Sequence, residues 1–261
     1  MIVGIIAYTL LYLGKVIQKY AIENIKEKKS IKNIHSGTWI FGTFLTALFL
    51  VIHWIALLIA PINIIAPLEG IGLIFFLIFS HILLKEKLIK IEFFGIILVI
   101  IGTFCVTFFN PNLSTIQKAD YNFNSFIILT IFILAIEFVL IFILTLKKPK
   151  FVGLLLSITA GTFMALETVT KRITVIPDIT ITIIFSILTI VFGILSLFFT
   201  QLAFAKTKAN IVIPSFTSTS ISLAIIIGII VLNESIILIQ IIGIFLIITG
   251  VIFLTAFRKE N

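Results

Sequence analysis

A succession of nine apolar runs constrains the fold of this chain more than any other feature. Most of the runs are long enough to cross the hydrocarbon core of a bilayer as a helix, which takes about 20 residues. Continuous runs also favour helices over the short alternating strands of a membrane barrel. The sequence therefore predicts an all-α, polytopic membrane helix bundle with nine transmembrane helices, at Ile2–Gln18, Gly37–Ile59, Pro61–Leu84, Ile91–Phe109, Ser125–Leu146, Phe151–Ile173, Ile179–Ala205, Asn210–Leu232 and Ile236–Phe257.

Composition excludes a water-soluble domain, because 61% of the 261 residues are hydrophobic and such a domain would need a largely apolar surface. The formal net charge of +8 does not indicate a nucleic-acid partner, since the basic residues lie at the ends of the apolar runs, where they meet lipid head groups. Membrane lipids are the expected partners, and a multi-pass protein of the cell (plasma or cytoplasmic) membrane is the expected location. The single cysteine, Cys105, allows no intramolecular disulfide.

The Lys and Arg residues predict the topology. With nine spans, fifteen of the nineteen fall on one side of the membrane, and only Lys118, Lys171 and Arg172 fall on the other. The positive-inside rule then places the N-terminus outside and the C-terminus in the cytoplasm. The remaining lysine, Lys15, lies within the first span and is expected to reach the cytoplasmic head groups with its long side chain.

An internal repeat divides the chain, which is expected to be a single membrane transporter domain over residues 1–261. Two blocks of the sequence match at an offset of 148 residues. The first contains Leu84-Lys85-Glu86, Gly95 and Gly102, and the second contains Leu232-Asn233-Glu234, Gly243 and Gly250 at the corresponding positions. In the nine-span topology the copies are inverted, which gives repeat 1 over 1–110, a linking helix over 125–146 and repeat 2 over 151–257. Inverted repeats with interrupted helices are typical of transporters whose site lies between the repeats. The glycines are expected to allow close helix packing.

Glu69 is the main candidate for a functional residue. Its carboxylate lies inside the apolar run 60–84, which also contains Pro61 and Pro67. A charge at such a depth costs about 2.5–3.5 kcal/mol on insertion scales. Pro67 is expected to interrupt the helix and free carbonyl groups that a cation or a proton relay can use. We therefore expect Glu69 to face a polar pathway; a protonated carboxyl or a helix-packing pair is the alternative.

Other polar residues within the spans are candidates as well. Glu137 lies in the middle of the fifth span, and Glu167 lies four residues before Lys171, a spacing that also suits a structural ion pair. His53, next to Trp54, is either an interfacial hydrogen-bonding group or a proton-coupling residue. Glu86 and Glu234 are interpreted as helix-start caps and left out of the site.

Near its start, the eighth span contains Pro214, which is expected to break the helix as Pro67 does. A dense group of hydroxyl residues follows it: Ser215, Thr217, Ser218, Thr219, Ser220 and Ser222. Such hydroxyls often bond only to a carbonyl one turn earlier, but their density predicts a cavity wall that faces Glu69. The candidate substrate-binding residues are Glu69, Glu137, Glu167, Thr217, Ser218, Thr219, Gln201 and Asn63. Glu69 and Glu137 are the candidate metal ligands.

The paired blocks resemble those of the drug/metabolite transporter superfamily, which includes the EamA-like proteins, and more closely its NIPA-like magnesium transporter branch. The resemblance extends over nearly the whole chain and rests on Gln18-Lys19, Ala60-Pro61, Ala66-Pro67-Leu68, Leu84-Lys85-Glu86, Gln201, Ala205, Pro214 and Glu234. It implies nine spans and the transport of divalent cations, chiefly Mg²⁺. Glu69 departs from the family pattern, in which a small residue follows Ala-Pro-Leu; this either strengthens a cation site or indicates a different substrate.

The sequence thus predicts a transporter that works by alternating access and moves Mg²⁺ or another divalent cation. The alternative is a proton-coupled carrier of a small organic metabolite, with Glu69 as the proton-linked carboxylate. An enzyme is not expected, because HExxH, GxSxG and paired aspartates are all missing, and no cofactor is expected. A structural or assembly protein would have a tightly packed interior at the level of Glu69. A homodimer is a candidate assembly.

Overall fold

A computed structural model describes residues 1–27, 32–83, 90–109, 121–148, 151–176, 178–234 and 236–256, and all regular structure within these ranges is helical, which confirms the predicted fold class. The helices are α1 (Ile2–Glu27), α2 (Lys32–Ile59), α3 (Ile62–Ile65), α4 (Glu69–Leu83), α5 (Lys90–Phe108), α6 (Phe123–Lys147), α7 (Val152–Ile173), α8 (Ile179–Lys206), α9 (Ala209–Leu232) and α10 (Leu238–Ala256). Glu86 and Lys118 lie outside the described residues.

Seven helical segments of the described ranges are long and apolar enough to cross a membrane: α1, α2, the α3–α4 segment, α6, α7, α8 and α9. The other two, α5 and α10, contain shorter described apolar stretches, Phe93–Val106 and Leu238–Gly250. When α3 and α4 are counted as one interrupted helix, the described residues form the nine helices that the sequence predicts.

The two prolines behave differently. Pro67 lies in a short 3-10 turn, Ala66–Leu68, that joins α3 to α4, so the predicted interruption is present there. Pro214 does not break its helix, contrary to the prediction, because α9 is continuous from Ala209 to Leu232. Proline removes one backbone donor from a helix interior. In the second turn of α9 the helix continues despite that loss.

The helices pack in two similar groups. α1 runs along α2 and α4, while α7 runs along α8 and α9, and α5 packs against α10. The two groups are thus built alike, and the contact between α5 and α10 joins them. α7 is buried over nearly its whole length, whereas Phe126 and Glu137 are the buried residues of α6. α7 is therefore part of the core, and α6 presents most of its apolar surface to the surroundings.

The repeated glycines lie where α5 crosses α10. A Cβ atom added to Gly102 would lie 2.5 Å from the carbonyl oxygen of Gly243, and one added to Gly243 would lie 2.7 Å from that of Gly102. A Cβ on Gly250 would lie 2.7 Å from the carbonyl oxygen of Gly95. The matched pairs run in opposite order along the two helices, so α5 and α10 are antiparallel. The predicted close packing at these glycines is confirmed.

Replacing Gly102 by alanine should destabilise the protein by about 1–3 kcal/mol, the usual cost of inserting atoms into a packed contact, because a backbone oxygen cannot move aside as a flexible side chain can. Gly37→Ala in α2 is the matched control, since no atom lies within 4 Å of its added Cβ. This variant should not be destabilised, because alanine has a higher helix propensity than glycine. Unfolding midpoints in detergent measure both effects. Equal midpoints for the two variants would contradict the close contact.

Candidate functional site

Glu69 is the first residue of α4, and its carboxylate lies in a pocket of hydroxyl groups. One oxygen, Oε1, accepts a hydrogen bond from the Tyr12 hydroxyl at 2.8 Å. The other, Oε2, accepts one from the Ser220 hydroxyl at 2.7 Å. The Thr217 hydroxyl is hydrogen-bonded to Tyr12 in turn. The structure thus brings Glu69 together with the hydroxyl-rich face of α9, and all four side chains are at most 2% exposed.

Glycine residues allow the helices around Glu69 to approach this closely. Gly72 lies one turn after Glu69, and the ring of Tyr12 occupies the space that a side chain at position 72 would need. On the other side of α9, a Cβ on Gly161 of α7 would lie 2.5 Å from the carbonyl oxygen of Phe216. Small residues permit such contacts between membrane helices. They bring α1 close to α4 beside the carboxylate, and α7 close to α9.

The partners of Glu69 are all neutral. Within the part of the chain that the structure describes, the ion pairs are Lys19–Glu23 and Glu167–Lys171, so Glu69 has no Lys, Arg or His nitrogen within 4.0 Å. Hydrogen bonds from hydroxyl groups stabilise a carboxylate, but they do not cancel its charge. An ionised Glu69 is therefore a buried negative charge without a paired cation.

Lys15 is placed differently from its prediction. Its side chain does not reach the head groups: the residue is 4% exposed, and its ammonium lies 2.8 Å from the centroid of the Phe216 ring. The ammonium has no hydrogen-bond partner among the described residues. α1 continues to Glu27, well past the predicted end of the span at Gln18, so Lys15 lies in the middle of the helix rather than near its end.

A second buried network includes Tyr8, which lies one helical turn before Tyr12 in α1. Lys171 donates to Glu167 Oε1 at 2.5 Å, and a hydrogen bond of 3.2 Å joins its ammonium to His53 Nδ1. The other ring nitrogen, His53 Nε2, lies 3.0 Å from the Tyr8 hydroxyl. The i,i+4 pair expected of Glu167 and Lys171 is present, but it is buried. His53 is buried within the bundle as well.

A cavity of about 160 Å³ lies among α1, α2, α7, α8 and α9. A Cβ on Gly193, in its wall, would lie 3.4 Å from Glu167 Oε2. Three wall hydroxyls, those of Thr46, Ser196 and Thr200, donate to backbone carbonyl oxygens. A hydroxyl oxygen that donates its proton can still accept hydrogen bonds. Glu69, Thr217 and Ser220 do not line this cavity. Its polar lining residues are Lys15, Thr43, Thr46, Glu167, Ser196 and Thr200.

Glu137 does not join the Glu69 cluster. Its Oε1 accepts a hydrogen bond from Thr162 of α7 at 2.5 Å, and its Oε2 is buried without a hydrogen-bond partner among the described residues. The two candidate metal ligands, Glu69 and Glu137, therefore share no hydrogen-bond partner. The partners of Glu69 lie in α1 and α9, and the partner of Glu137 lies in α7.

The remaining candidates have structural contacts. Gln201 donates to Gln18 Oε1 at 2.7 Å and accepts from the Trp39 indole at 3.1 Å. The hydroxyls of Ser218 and Thr219 both donate to the Ser215 carbonyl oxygen. Asn63 is buried in α3, and its backbone N–H donates to Glu234.

Glu234 caps a helix, as expected, but not its own. Its two carboxylate oxygens accept from the backbone N–H groups of Ile62 and Asn63, both at 3.1 Å, so it caps the first turn of α3 after Pro61. Burial raises the pKa of the Glu234 carboxyl, and the two backbone donors partly offset that rise. Its carboxylate stabilises the start of the interrupted helix that carries Glu69.

Sequence reasoning missed Tyr8 and Tyr12 and gave Lys15 an interfacial role. A usable signal existed, since Tyr8, Tyr12, Lys15 and Lys19 recur at spacings of four, three and four residues, which is one face of a helix. A polar face on an otherwise apolar helix indicates that this face is directed into the bundle. Lys19, the last of the four, donates to the carbonyl oxygens of Phe204 and Thr207 at the end of α8.

The donor set limits the kind of cation that can be held. Among the described residues, no group of three or more His, Cys, Asp or Glu side chains is placed to bind a metal ion. A fully protein-ligated site of that type is therefore not formed there. Mg²⁺ retains several of its waters and needs only one or two carboxylates, so one carboxylate surrounded by hydroxyls is compatible with a partly hydrated ion.

Comparison with known proteins gives one family and one relative. The family model described as magnesium transporter NIPA matches residues 2–260. The NIPA-like protein 2 of Mus musculus is 31% identical over 153 residues, which is 55% of this chain and 39% of that protein. The match thus spans about two fifths of that relative's length. No solved structure matches the chain.

Proposed function

The chain belongs to the magnesium transporter NIPA family, and from that premise we propose that this multi-pass membrane protein carries Mg²⁺ or another divalent cation across the cell membrane. The family is one of transporters, so the intramembrane enzyme is not retained.

The observation that carries the proposal is the buried carboxylate of Glu69, whose hydrogen-bond partners in the described part of the chain are hydroxyl groups. In the interior of a membrane protein such a charge attracts a cation strongly, since the surroundings screen it little. Mg²⁺ prefers oxygen ligands and stays partly hydrated. The hydroxyl oxygens of Tyr12, Thr217 and Ser220 can accept hydrogen bonds from the waters of such an ion while Glu69 supplies the negative charge.

Alternating access supplies a route to this site. With the N-terminus outside, α1 runs inward. The cavity of about 160 Å³ that Lys15 lines, called the Lys15 cavity from here on, then lies on the cytoplasmic side of the Glu69 cluster. We propose that residues 1–110 and 151–257 act as inverted repeats, with 125–146 as the linking helix, and that rocking between them connects Glu69 to each side in turn. Both carboxylate oxygens of Glu69 are hydrogen-bonded to protein hydroxyls. We interpret this arrangement as the state in which the site is occluded from both sides.

Purified protein in proteoliposomes tests the proposal. With a Mg²⁺-sensitive dye inside the vesicles, an inward Mg²⁺ gradient is expected to give protein-dependent uptake that Mn²⁺ or Co²⁺ reduces by competition. Protein-free vesicles give the leak. No Mg²⁺ uptake in vesicles that contain folded protein would contradict the proposal. Proton movement driven by a mixture of small metabolites, without any divalent flux, would support the organic-metabolite carrier instead.

A further inference from the structure

We propose that Lys15 is a tethered cation that competes for the Glu69 site and excludes monovalent cations from it. The inference rests on the proposed function, which it deepens by naming the residue that sets the choice among cations. It starts from two buried, opposite charges that have no ion-pair partner among the described residues, Lys15 and Glu69.

Lys15 and Glu69 both lie next to the contact between α1 and α9. Tyr12 and Lys15 are separated by about one turn on the same face of α1. Tyr12 reaches Glu69 and Thr217, while the Lys15 ammonium lies over the ring of Phe216, the residue before Thr217. A movement of α1 against α9 therefore changes the surroundings of both charges together.

The Lys15 ammonium is not fixed by hydrogen bonds. Its nitrogen has no hydrogen-bond partner in the described part of the chain, and its contact is the face of an aromatic ring, which attracts a cation without orienting it. Its side chain also lines the cavity of about 160 Å³. A flexible four-carbon stem beside an open volume allows the charge to shift toward Glu69 or away from it.

The buried charges of Lys15, Glu69 and the Glu167–Lys171 pair balance when no cation is bound. α1 contributes Lys15, α7 contributes Lys171 and Glu167, and α4 contributes Glu69, while His53 of α2 lies next to Lys171. With His53 neutral, these side chains carry two positive and two negative charges. A bound cation therefore adds its full charge to this neutral group of side chains, so its attraction to Glu69 must exceed its repulsion from Lys15.

Competition between the tethered ammonium and a bound ion favours divalent cations. A tethered group competes at the effective concentration that its short linkage gives it, which reaches the millimolar range or more. Na⁺ carries the same charge as the ammonium and gains nothing by replacing it beside Glu69. Mg²⁺ carries twice that charge and is attracted twice as strongly at equal distance. A divalent cation can therefore displace Lys15, whereas a monovalent cation is excluded.

The test compares Lys15→Met, which keeps the apolar stem and removes the charge, with Lys15→Arg, which keeps the charge. Lys19→Met is a matched control on the same face of α1, since Lys19 bonds to carbonyl oxygens at the end of α8. Each protein is reconstituted, and Mg²⁺ uptake and ²²Na⁺ uptake are measured with and without excess Na⁺ outside.

For the wild type, Lys15→Arg and Lys19→Met, we expect Mg²⁺ uptake that excess Na⁺ does not inhibit, and Na⁺ uptake close to the leak of protein-free vesicles. For Lys15→Met, the ratio of Mg²⁺ to Na⁺ uptake should fall by about tenfold or more, because a unit charge near the site has been removed. If Lys15→Met shows an unchanged ratio of Mg²⁺ to Na⁺ uptake and normal Mg²⁺ uptake, the inference about Lys15 is overturned and the proposed function stands. No Mg²⁺ uptake by the wild type overturns the proposed function, and this inference with it. If Lys15→Met does not fold, Lys15→Gln decides by the same measurements.

Discussion

Glu69→Gln is expected to lower the initial rate of Mg²⁺ uptake at least about a hundredfold. The substitution keeps the size of the side chain and an oxygen that can accept from Tyr12, but it removes the charge that attracts the ion. A unit charge at 4 Å is worth about 4 kcal/mol at an effective dielectric constant of 20, and every 1.4 kcal/mol is tenfold in an equilibrium constant. The effect on a divalent ion is larger still.

Uptake into proteoliposomes measures this effect, and an unfolding midpoint in detergent shows whether the variant is folded. We expect the midpoint to be retained, because the amide can bond with both Tyr12 and Ser220. The same change at Glu137 separates the two candidate metal ligands. We expect it to have the smaller effect, because Glu137 bonds to Thr162 of α7 and shares no partner with Glu69. Wild-type uptake by Glu69→Gln would remove Glu69 from the site.

The sequence alone predicts Glu69 as a candidate residue and the hydroxyl-rich face of α9 as the surface opposite it. A carboxylate inside an apolar run is costly wherever the run lies in the membrane, so its importance does not depend on knowing its neighbours. The hydroxyl residues of α9 were identified by their density. Which hydroxyls reach the carboxylate depended on helix packing: Thr217 and Ser220 belong to the cluster, whereas Ser218 and Thr219 bond within α9.

The errors trace to helix ends and to contacts between distant segments. A span that ends at Gln18 places Lys15 near an interface, but α1 continues to Glu27, and the same lysine is then buried in the bundle. A proline in a membrane helix suggests a break, yet α9 continues through Pro214. Glu234 bonds to the backbone of Ile62, which is 172 residues away along the chain. No local pattern indicates such a partner.

Lys171→Met should be among the most destabilising single substitutions in this protein, with an expected loss of about 3–5 kcal/mol, the usual cost of removing one partner of a buried ion pair. Lys171 is fully buried and Glu167 is 2% exposed. Removing the ammonium leaves the Glu167 carboxylate without its partner at 2.5 Å and also removes the hydrogen bond to His53 Nδ1. Unfolding midpoints in detergent measure the loss.

The double variant Glu167→Gln/Lys171→Met is the informative comparison, because it removes both charges together. We expect it to recover much of the stability that Lys171→Met loses, since replacing a whole buried pair by neutral groups often costs little. The two single effects would then not add, and the difference gives the coupling energy of the pair. Additive losses would show that the two side chains contribute separately and that the ion pair is not what stabilises α7.

The double variant also separates stability from transport. Glu167 lines the Lys15 cavity, so its charge acts on any cation that passes there, whereas Lys171 is held between Glu167 and His53. If the pair only stabilises α7, a folded double variant should transport Mg²⁺ at close to the wild-type rate. A folded double variant that has lost most of its uptake would instead assign Glu167 to the cation path, next to Lys15 and on the cytoplasmic side of Glu69 in the proposed topology.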